Sequence, residues 1–190
     1  MGEYLNQFPL YFLPPVGFIS KFLSTQKPEL LIGEKFEKQT YRSRFEIAGP
    51  NGRQLLSIPL IHKSTHAFMA EVQVDYSHNW NVKHWRSIET AYRRAPFFEF
   101  YAHYFMPLFT KKYFLLAELN LEALKIIFKI LKSEPEIKIQ TDFTKTLNLE
   151  IVFNPKPYFQ VFEEKNGFLH NLSILDLVFN QGPSVMDYMD

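Results

Sequence analysis

The chain has no cysteine and no long apolar run, and these absences exclude several classes of protein. Its 190 residues contain no cysteine, which excludes disulfides, thiolate zinc sites and a cysteine nucleophile. The best apolar run, KIIFKILK, is interrupted by lysines and is far shorter than the ~20 residues needed to span a bilayer. The first residues lack the basic start and long apolar run of a signal peptide. We therefore expect a cytoplasmic protein with no membrane span.

The chain also has little net charge and none of the common nucleotide or hydrolase motifs. Lys and Arg number 21 against 20 Asp and Glu, a net charge of +1, so we expect no nucleic-acid partner. The absence of P-loop, G-x-G-x-x-G, G-x-S-x-G and H-E-x-x-H motifs argues against Walker ATPases, Rossmann dinucleotide enzymes, α/β-hydrolases and zincins. The cofactor, if there is one, stays unknown.

The composition that remains is that of a globular protein with many aromatic rings. The apolar fraction is 46%, and 20 residues are Phe, which predicts a core rich in aromatic side chains. The length suits one sizeable domain better than two very small ones. We therefore predict a single domain over residues 1–190.

Strand patterns dominate the first half of the sequence. The clearest is TYRSRFEIAGPNGRQLLSIPLIH, where Phe45 and Ile47 alternate with polar neighbours and GPNG supplies the turn of a hairpin. Shorter strands are predicted in FPLYF, ELLIGE and EVQVDYS, and a later one in EIKIQTDF.

Helical patterns follow in the centre of the chain. Residues 80–110 predict helix, broken or bent at Pro96 and Pro107. The segment LNLEALKIIFKILK predicts an amphipathic helix with Asn120 as its cap. Together these patterns predict an α/β (or α+β) fold with a mixed β-sheet, an early hairpin and central helices.

One of these helices carries a histidine on its apolar face. At about 100° per residue, residues 83–95 place His84 beside Ile88 and two turns before Tyr92. Such a histidine is either a core residue satisfied by a carbonyl or a positioned acid/base. The opposite face carries Lys83, Arg86, Arg93 and Arg94. That basic face is either solvated or a docking surface for phosphate or carboxylate.

Two arginines next to a tyrosine form a second candidate site. Tyr41, Arg42 and Arg44 lie before and inside the first hairpin strand, and alternate strand residues share a face. Arg42 and Arg44 therefore form part of a solvated sheet face or line an anion-binding cleft.

Two further polar groups are weighed against structural roles. Ser173 and Asp176 in SILD have the form of a helix capping box, yet Asp176 and Asn180 share a polar stripe on an otherwise apolar helix. A buried Asp176 needs a partner, such as an arginine or His84. His62 and His66 lie four apart in a predicted loop, so we predict no metal site.

Three long blocks of unusual sequence occur in the order FPLYFLPPVGFISKFL, KFEKQTYRSRFEIAGPNGRQLLSIP and NWNVKHWRSIETAYRRAPFFEFY, followed by PYFQVFEEKNGFLHNLSILDLVFNQGP. Together they resemble the WbqC-like family. The chain departs from many relatives at FPLYFLPP, where they have Gln-Pro-x-Tyr-Leu-Pro, and in a shorter segment between TDF and NPKPYFQ. The positions that match family motifs are Tyr41, Arg42, Arg44, Asn79, Trp80, His84, Ile88, Tyr92, Pro96, Ser173, Asp176, Asn180 and Gly182.

The resemblance implies a role near activated sugars, because members are often encoded among genes for surface polysaccharide and nucleotide-sugar metabolism. One hypothesis is a transferase acting on a sugar-linked or acyl-linked substrate, with His84 as general base. Its catalytic residues are His84, Asp176 and Tyr92, and its ligand-binding residues are Tyr41, Arg42, Arg44, Arg86 and Asn180.

Two noncatalytic hypotheses stand beside the transferase. The protein could bind or hand over a small anionic or sugar-linked ligand without turnover. It could instead be an adaptor that uses the aromatic run Phe97–Phe105 as an interface, which would allow a homo-oligomer.

Overall fold

Two small sheets and a set of helices make up the described part of the chain, which is residues 6–142, 147, 149, 153 and 156–189 of a computed structural model. The strands are β1 (Gln7–Pro9), β2 (Glu29–Leu31), β3 (Arg44–Gly49), β4 (Gly52–Ser57) and β5 (Lys138–Gln140). The helices are α1 (Val16–Ser24), α2 (Trp80–Tyr92), α3 (Phe98–Phe105), α4 (Pro107–Thr110), α5 (Leu116–Leu131), α6 (Glu163–Asn166) and α7 (Ile174–Gln181). Short 3-10 helices cover His62–His66, Met69–Glu71 and Gly182–Tyr188.

The first sheet is parallel and has the strand order β1-β2-β5. Phe8 pairs with Leu30, and Leu30 pairs with Ile139. Helix α1 connects β1 to β2, and the ring of Phe8 lies 5.6 Å from that of Phe18 and 4.8 Å from that of Phe22. These edge-to-face contacts hold α1 against the sheet, as the abundance of Phe predicts.

The second sheet is the predicted hairpin. Strands β3 and β4 are antiparallel, from the pair Arg44 and Ser57 to the pair Gly49 and Gly52. Phe45 and Ile47 are buried, so the alternating Arg44 and Glu46 lie on the other face of β3. Helix α2 packs along β3, and the hairpin is thereby fixed to the core.

The helices confirm the predicted breaks at the two prolines: α2 ends before Pro96, and α4 begins at Pro107. The α/β class with an early hairpin and central helices is confirmed, and parallel and antiparallel pairing occur in separate sheets. The segment EVQVDYS forms only isolated bridges, including Leu60 with Val74. Within the described ranges, no helix combines the length and apolar character needed to cross a bilayer.

The expected cap of the long helix is wrong. Helix α5 begins at Leu116, so Asn120 lies inside it. Asn120 is fully buried, and its Nδ2 donates to the carbonyl oxygens of Leu10 at 3.0 Å and Arg42 at 2.8 Å. Its amide satisfies two buried carbonyls from distant segments, which a helix-end pattern cannot reveal.

Ser173 joins the start of α7 to the N-terminal turn and the hairpin. Its Oγ caps α7 by accepting from Leu175 N at 3.4 Å and donates to Leu13 O at 2.8 Å. The neighbouring Ile174 N donates to Pro14 O at 2.8 Å, and Ser173 N donates to Glu46 O at 2.9 Å. Three regions far apart in sequence therefore meet at this helix start.

Helix α7 ends at a position that requires glycine. Gly182 has a φ of +52°, a region that glycine adopts without steric cost. A Cβ there would lie 2.5 Å from the ring of Phe97. The Gly-Pro stop predicted for this helix is thus fixed both by backbone conformation and by packing.

Candidate functional site

A cleft beside the hairpin brings together two of the predicted ligand-binding residues. We call it the Tyr41 cleft. It has a volume of about 220 Å³ and is lined by Gln39, Thr40, Tyr41, Arg44, Glu46 and Leu55. Strand β3 supplies Arg44 and Glu46 because residues two apart in a strand share a face. Tyr41 is supplied by the loop that precedes β3.

The charges of the Tyr41 cleft are unequally satisfied. Glu46 Oε2 accepts from Arg53 Nη1 at 2.7 Å and from the Tyr41 hydroxyl at 3.4 Å. Burial raises the pKa of Tyr41, and the Glu46 carboxylate raises it further. Arg44 is partly buried and has no ion pair within the described residues. The cleft therefore combines a guanidinium free to bind an anion with a carboxylate and a neutral phenol that can meet hydroxyl groups.

A smaller cavity shares Tyr41 with the Tyr41 cleft as a lining residue. It has a volume of about 70 Å³ and is lined by Tyr11, Pro15, Phe18, Tyr41, Leu149 and Asn171. Burial raises the pKa of Tyr11, while the nearby Arg42 guanidinium lowers it. The Tyr41 side chain thus forms a wall shared by two cavities.

Sequence reasoning missed Glu46 and Tyr11 as members of this region. Glu46 could have been found, because it lies two residues after Arg44 in the same predicted strand. Tyr11 lies in the predicted FPLYF strand, and nothing in that pattern indicates that it meets Tyr41, with the two ring centroids 5.8 Å apart.

Arg42 lies in an internal ion pair and is not among the residues that line the Tyr41 cleft. Its Nε donates to Glu34 Oε1 at 2.8 Å, its Nη2 donates to Glu34 Oε2 at 2.7 Å, and both side chains are fully buried. Nη1 donates to Thr40 Oγ1 at 3.2 Å, and Nη2 also donates to Leu147 O at 2.7 Å. Glu34 Oε2 in turn accepts from Leu147 N at 2.9 Å. We call this the Arg42–Glu34 pair, and its hydrogen bonds are made within the protein.

Asp176 is the centre of a buried polar network at α7. Its Oδ2 accepts from the Tyr158 hydroxyl at 2.7 Å and from Gln160 Nε2 at 2.7 Å. The hydroxyl of Tyr92 accepts from Ala48 N at 3.1 Å and also interacts with the Asp176 carboxyl. Burial raises the pKa of Asp176 to about 6, although hydrogen bonds from Tyr158 and Gln160 act to lower it.

This network corrects one interpretation of Asp176 and brings three of the predicted site residues together. The capping box is wrong, because the Asp176 carboxyl turns to Tyr158 and Gln160 rather than back to Ser173 N. Asn180 joins the group through its Nδ2, which donates to the Asp176 carbonyl at 2.8 Å. Asp176, Asn180 and Tyr92 therefore lie together, with 0%, 3% and 0% of their surfaces exposed.

His84 lies among aromatic rings instead. Its ring centroid is 5.2 Å from Trp80 and 6.0 Å from Phe45. Burial lowers the pKa of His84 to about 4, and within the described residues its Nδ1 has no hydrogen-bond partner. His84 precedes Tyr92 by eight residues on α2, which is about 12 Å along the helix axis. The structure therefore does not pair His84 with Asp176.

The remaining predicted groups are Arg86 and the aromatic run Phe97–Phe105, and they lie outside the Tyr41 cleft. Arg86 is exposed on α2 and is not part of the Tyr41 cleft lining. In the aromatic run, Phe105 is buried and Phe98 contacts Phe179 at 5.0 Å between centroids, whereas Phe100 is 68% exposed. Of the aromatic residues in this run only Phe105 is buried, and Phe97, Phe98, Tyr101 and Tyr104 are partly exposed, so the adaptor interface stays a prediction.

The histidine pair His62 and His66 lies in a 3-10 helix rather than the expected loop. The two ring centroids are 5.6 Å apart. In the part of the chain that the structure describes, no group of three or more His, Cys, Asp or Glu side chains is arranged to hold a metal ion.

The structure is that of an α/β protein with a cleft beside its hairpin. A family model described as the WbqC-like protein family matches residues 10–154, and the chain belongs to this family. The match includes every residue of the Tyr41 cleft and ends before Tyr158, Gln160 and Asp176. No curated protein and no solved structure matches the chain.

Proposed function

We propose that this WbqC-like protein binds a small anionic, sugar-linked ligand in the Tyr41 cleft. The observation that carries the proposal is Arg44, a cation that lines a cavity and has no ion pair within the described ranges. A guanidinium presents a planar fork of donors that suits phosphate or carboxylate. The association of the family with surface polysaccharide genes supports an activated sugar as the ligand.

The other polar groups of the cleft suit the sugar part of such a ligand. The Glu46 carboxylate can accept hydrogen bonds from sugar hydroxyls in addition to the one from Arg53. Tyr41 offers a hydroxyl and an aromatic ring. The volume of about 220 Å³ is below the ~300–1,000 Å³ typical of drug-sized ligands. The cleft therefore suits a phosphate and one sugar ring, with any larger group extending into solvent.

Burial favours binding without turnover over catalysis by the predicted acid/base residues. His84 is 9% exposed and Asp176 is 0% exposed, and neither is among the residues that line the Tyr41 cleft. A proton-transfer group must approach within hydrogen-bond reach of the reacting atom. We therefore rank a ligand-binding or ligand-delivery role in surface polysaccharide metabolism above a catalytic one.

A transferase acting on an activated sugar or acyl substrate is the second candidate. The observation in its favour is that the pKa of Asp176 is raised to about 6 beside Tyr158 and Tyr92, because perturbed titrating groups are common at active sites. This candidate requires α7 or the residues that cover it to open. It predicts turnover, whereas the binding role predicts none.

The test is a calorimetric titration with glucose 1-phosphate, inorganic phosphate and glucose. We expect glucose 1-phosphate to bind more tightly than either part alone. Arg44→Ala removes hydrogen bonds to a charged group, worth roughly 1.5–3 kcal/mol, so it should weaken binding roughly 10- to 150-fold. Incubation of the same protein with the sugar phosphate and an acceptor, followed by product analysis, separates binding from transfer.

The matched control is Arg86→Ala, since Arg86 is an exposed arginine outside the cleft. We expect it to leave the affinity for glucose 1-phosphate unchanged. Equal weakening by both variants would mean that binding responds only to overall charge. No measurable binding to the wild-type protein would contradict the proposal directly.

A further inference from the structure

A second groove lies at the C-terminal end of α2, and none of its lining residues belongs to the Tyr41 cleft. We call it the Arg93 groove. It has a volume of about 540 Å³ and is lined by Pro50, Thr90, Arg93, Arg94, Val161 and Phe162. Its size falls within the range of small-molecule sites.

The polar side of the Arg93 groove is cationic. Arg93 and Arg94 are exposed, and within the described ranges neither forms an ion pair. Lys165 adds a third cation at the edge, because its Nζ donates to Pro50 O at 2.7 Å. The nearby Glu163 is directed elsewhere, with its Oε2 accepting from Gln160 N at 3.4 Å. Two guanidinium groups that line the same groove are therefore available for an anion with several oxygens.

The other side of the groove is apolar. Pro50, Val161 and Phe162 line it, and the phenyl ring of Phe162 is partly exposed. An exposed aromatic ring next to arginines is the combination that holds nucleotides, since the base stacks on the ring while the phosphates pair with the cations.

The buried Asp176 network joins the chain segments that lead into the groove. Three groove residues lie close in sequence to residues of that network. Arg93 follows Tyr92, Val161 follows Gln160, and Pro50 lies two residues after Ala48. The bond from Ala48 N to the Tyr92 hydroxyl, the interaction of that hydroxyl with the Asp176 carboxyl, and the bond from Gln160 Nε2 to Asp176 Oδ2 join these three segments. A site whose walls are already fixed loses little entropy when a ligand binds.

We propose that the Arg93 groove binds a nucleoside diphosphate, with the phosphates on Arg93 and Arg94 and the base against Phe162. This site does not depend on the ligand proposed for the Tyr41 cleft. The proposal is one of binding and includes no chemical step.

The test is calorimetric titration of the protein with ADP and, separately, with inorganic pyrophosphate. ADP is an adequate probe because stacking on an aromatic ring tolerates any base. We expect both probes to bind, and Arg93→Ala to weaken both by about tenfold or more, as expected when hydrogen bonds to a charged group are lost. Phe162→Ala should weaken ADP roughly 5- to 150-fold, the effect of one lost stacking contact, and leave pyrophosphate unchanged.

The controls separate this site from general charge and from the Tyr41 cleft. Arg86→Ala lies on the same helix, Arg44→Ala lies in the other cleft, and both should leave ADP affinity unchanged. If Phe162→Ala lowers the melting temperature strongly, Phe162→Leu keeps the bulk while removing the aromatic face. The proposal is overturned by no ADP binding at millimolar concentration. It is also overturned by unchanged ADP affinity in the folded Phe162 variant, or by equal weakening in Arg86→Ala or Arg44→Ala.

Discussion

Arg42 and Arg44 are two residues apart and have opposite environments. The guanidinium of Arg42 is fully buried against Glu34, Thr40 and Leu147. The guanidinium of Arg44 lines the Tyr41 cleft and has no ion pair within the described residues. The difference arises from the partners, because Glu34 and the Leu147 carbonyl accept from Arg42, whereas Glu46 in the Tyr41 cleft accepts from Arg53 instead.

This comparison separates a stabilising arginine from a recognising one. A buried charge is tolerated only when it is paired and its donors are satisfied, and Arg42 meets both conditions. An arginine with free donors beside a cavity contributes little to stability and is available to a ligand. Substitutions at the two positions should therefore affect different measurements.

The largest expected effect is on stability at the Arg42–Glu34 pair. Glu34→Ala leaves a buried guanidinium without its carboxylate and Leu147 N without its acceptor. Removal of one member of a buried pair typically costs about 3–5 kcal/mol. We expect a loss of that size in the free energy of unfolding, measured by urea denaturation. Arg44→Ala in parallel should change it by less than ~0.5 kcal/mol.

A double-variant cycle sharpens this result. Glu34→Leu with Arg42→Met removes both charges, so the combined loss should be well below the sum of the two single losses. Purely additive losses would contradict a direct interaction between the two side chains.

The sequence predicts local features of the fold better than it predicts partners. The hairpin was predictable because GPNG and the alternation of Phe45 and Ile47 act within a few residues. The role of Asn120 was not, since its partners Leu10 and Arg42 lie 110 and 78 residues away. In the candidate site, the sequence predicted Tyr41 and Arg44 as neighbours but could not assign Glu34 to Arg42. Pairing across loops depends on tertiary packing, which periodicity does not report.

The next effect concerns the pH dependence of the free energy of unfolding. Asp176 and His84 should contribute to it with opposite signs. The pKa of Asp176 is raised from 3.8 to about 6, so its contribution to stability is complete below pH 3.8 and is lost as the pH rises to about 6. The pKa of His84 is lowered from 6.5 to about 4, so its contribution is complete above pH 6.5 and is lost as the pH falls to about 4. At about 1.4 kcal/mol per pH unit, each effect reaches about 3 kcal/mol, and the two nearly cancel.

Single variants should reveal the two opposing pH dependences, which nearly cancel in the wild-type protein. In Asp176→Asn, the free energy of unfolding should fall, relative to the wild-type profile, as the pH drops from 6.5 to 4. In His84→Leu it should rise over the same interval. The measurement is a series of urea denaturations from pH 4 to 7. Parallel profiles for both variants and the wild type would show that neither group is buried as described.

A much smaller stability effect is expected for Tyr41 in the Tyr41 cleft. Tyr41→Phe removes a hydroxyl whose hydrogen bond to Glu46 Oε2 is long, at 3.4 Å. The loss of stability should therefore be no more than about 1 kcal/mol. The affinity of this variant for glucose 1-phosphate should nevertheless fall, because the cleft loses a polar group. Thermal denaturation and calorimetry on the same sample test both expectations. A large loss of stability would place Tyr41 with Arg42 as a structural residue.

The contacts of Ser173 also bear on how the protein is made. Its hydroxyl satisfies the carbonyl of Leu13, which lies 160 residues earlier. At about 5–20 residues per second on the ribosome, the segment around Leu13 and Pro14 emerges roughly 8–32 s before its partner is synthesised. The early turn must keep its carbonyls hydrated during that interval. The N-terminal turn can therefore complete its hydrogen bonds only after the start of α7 has been synthesised.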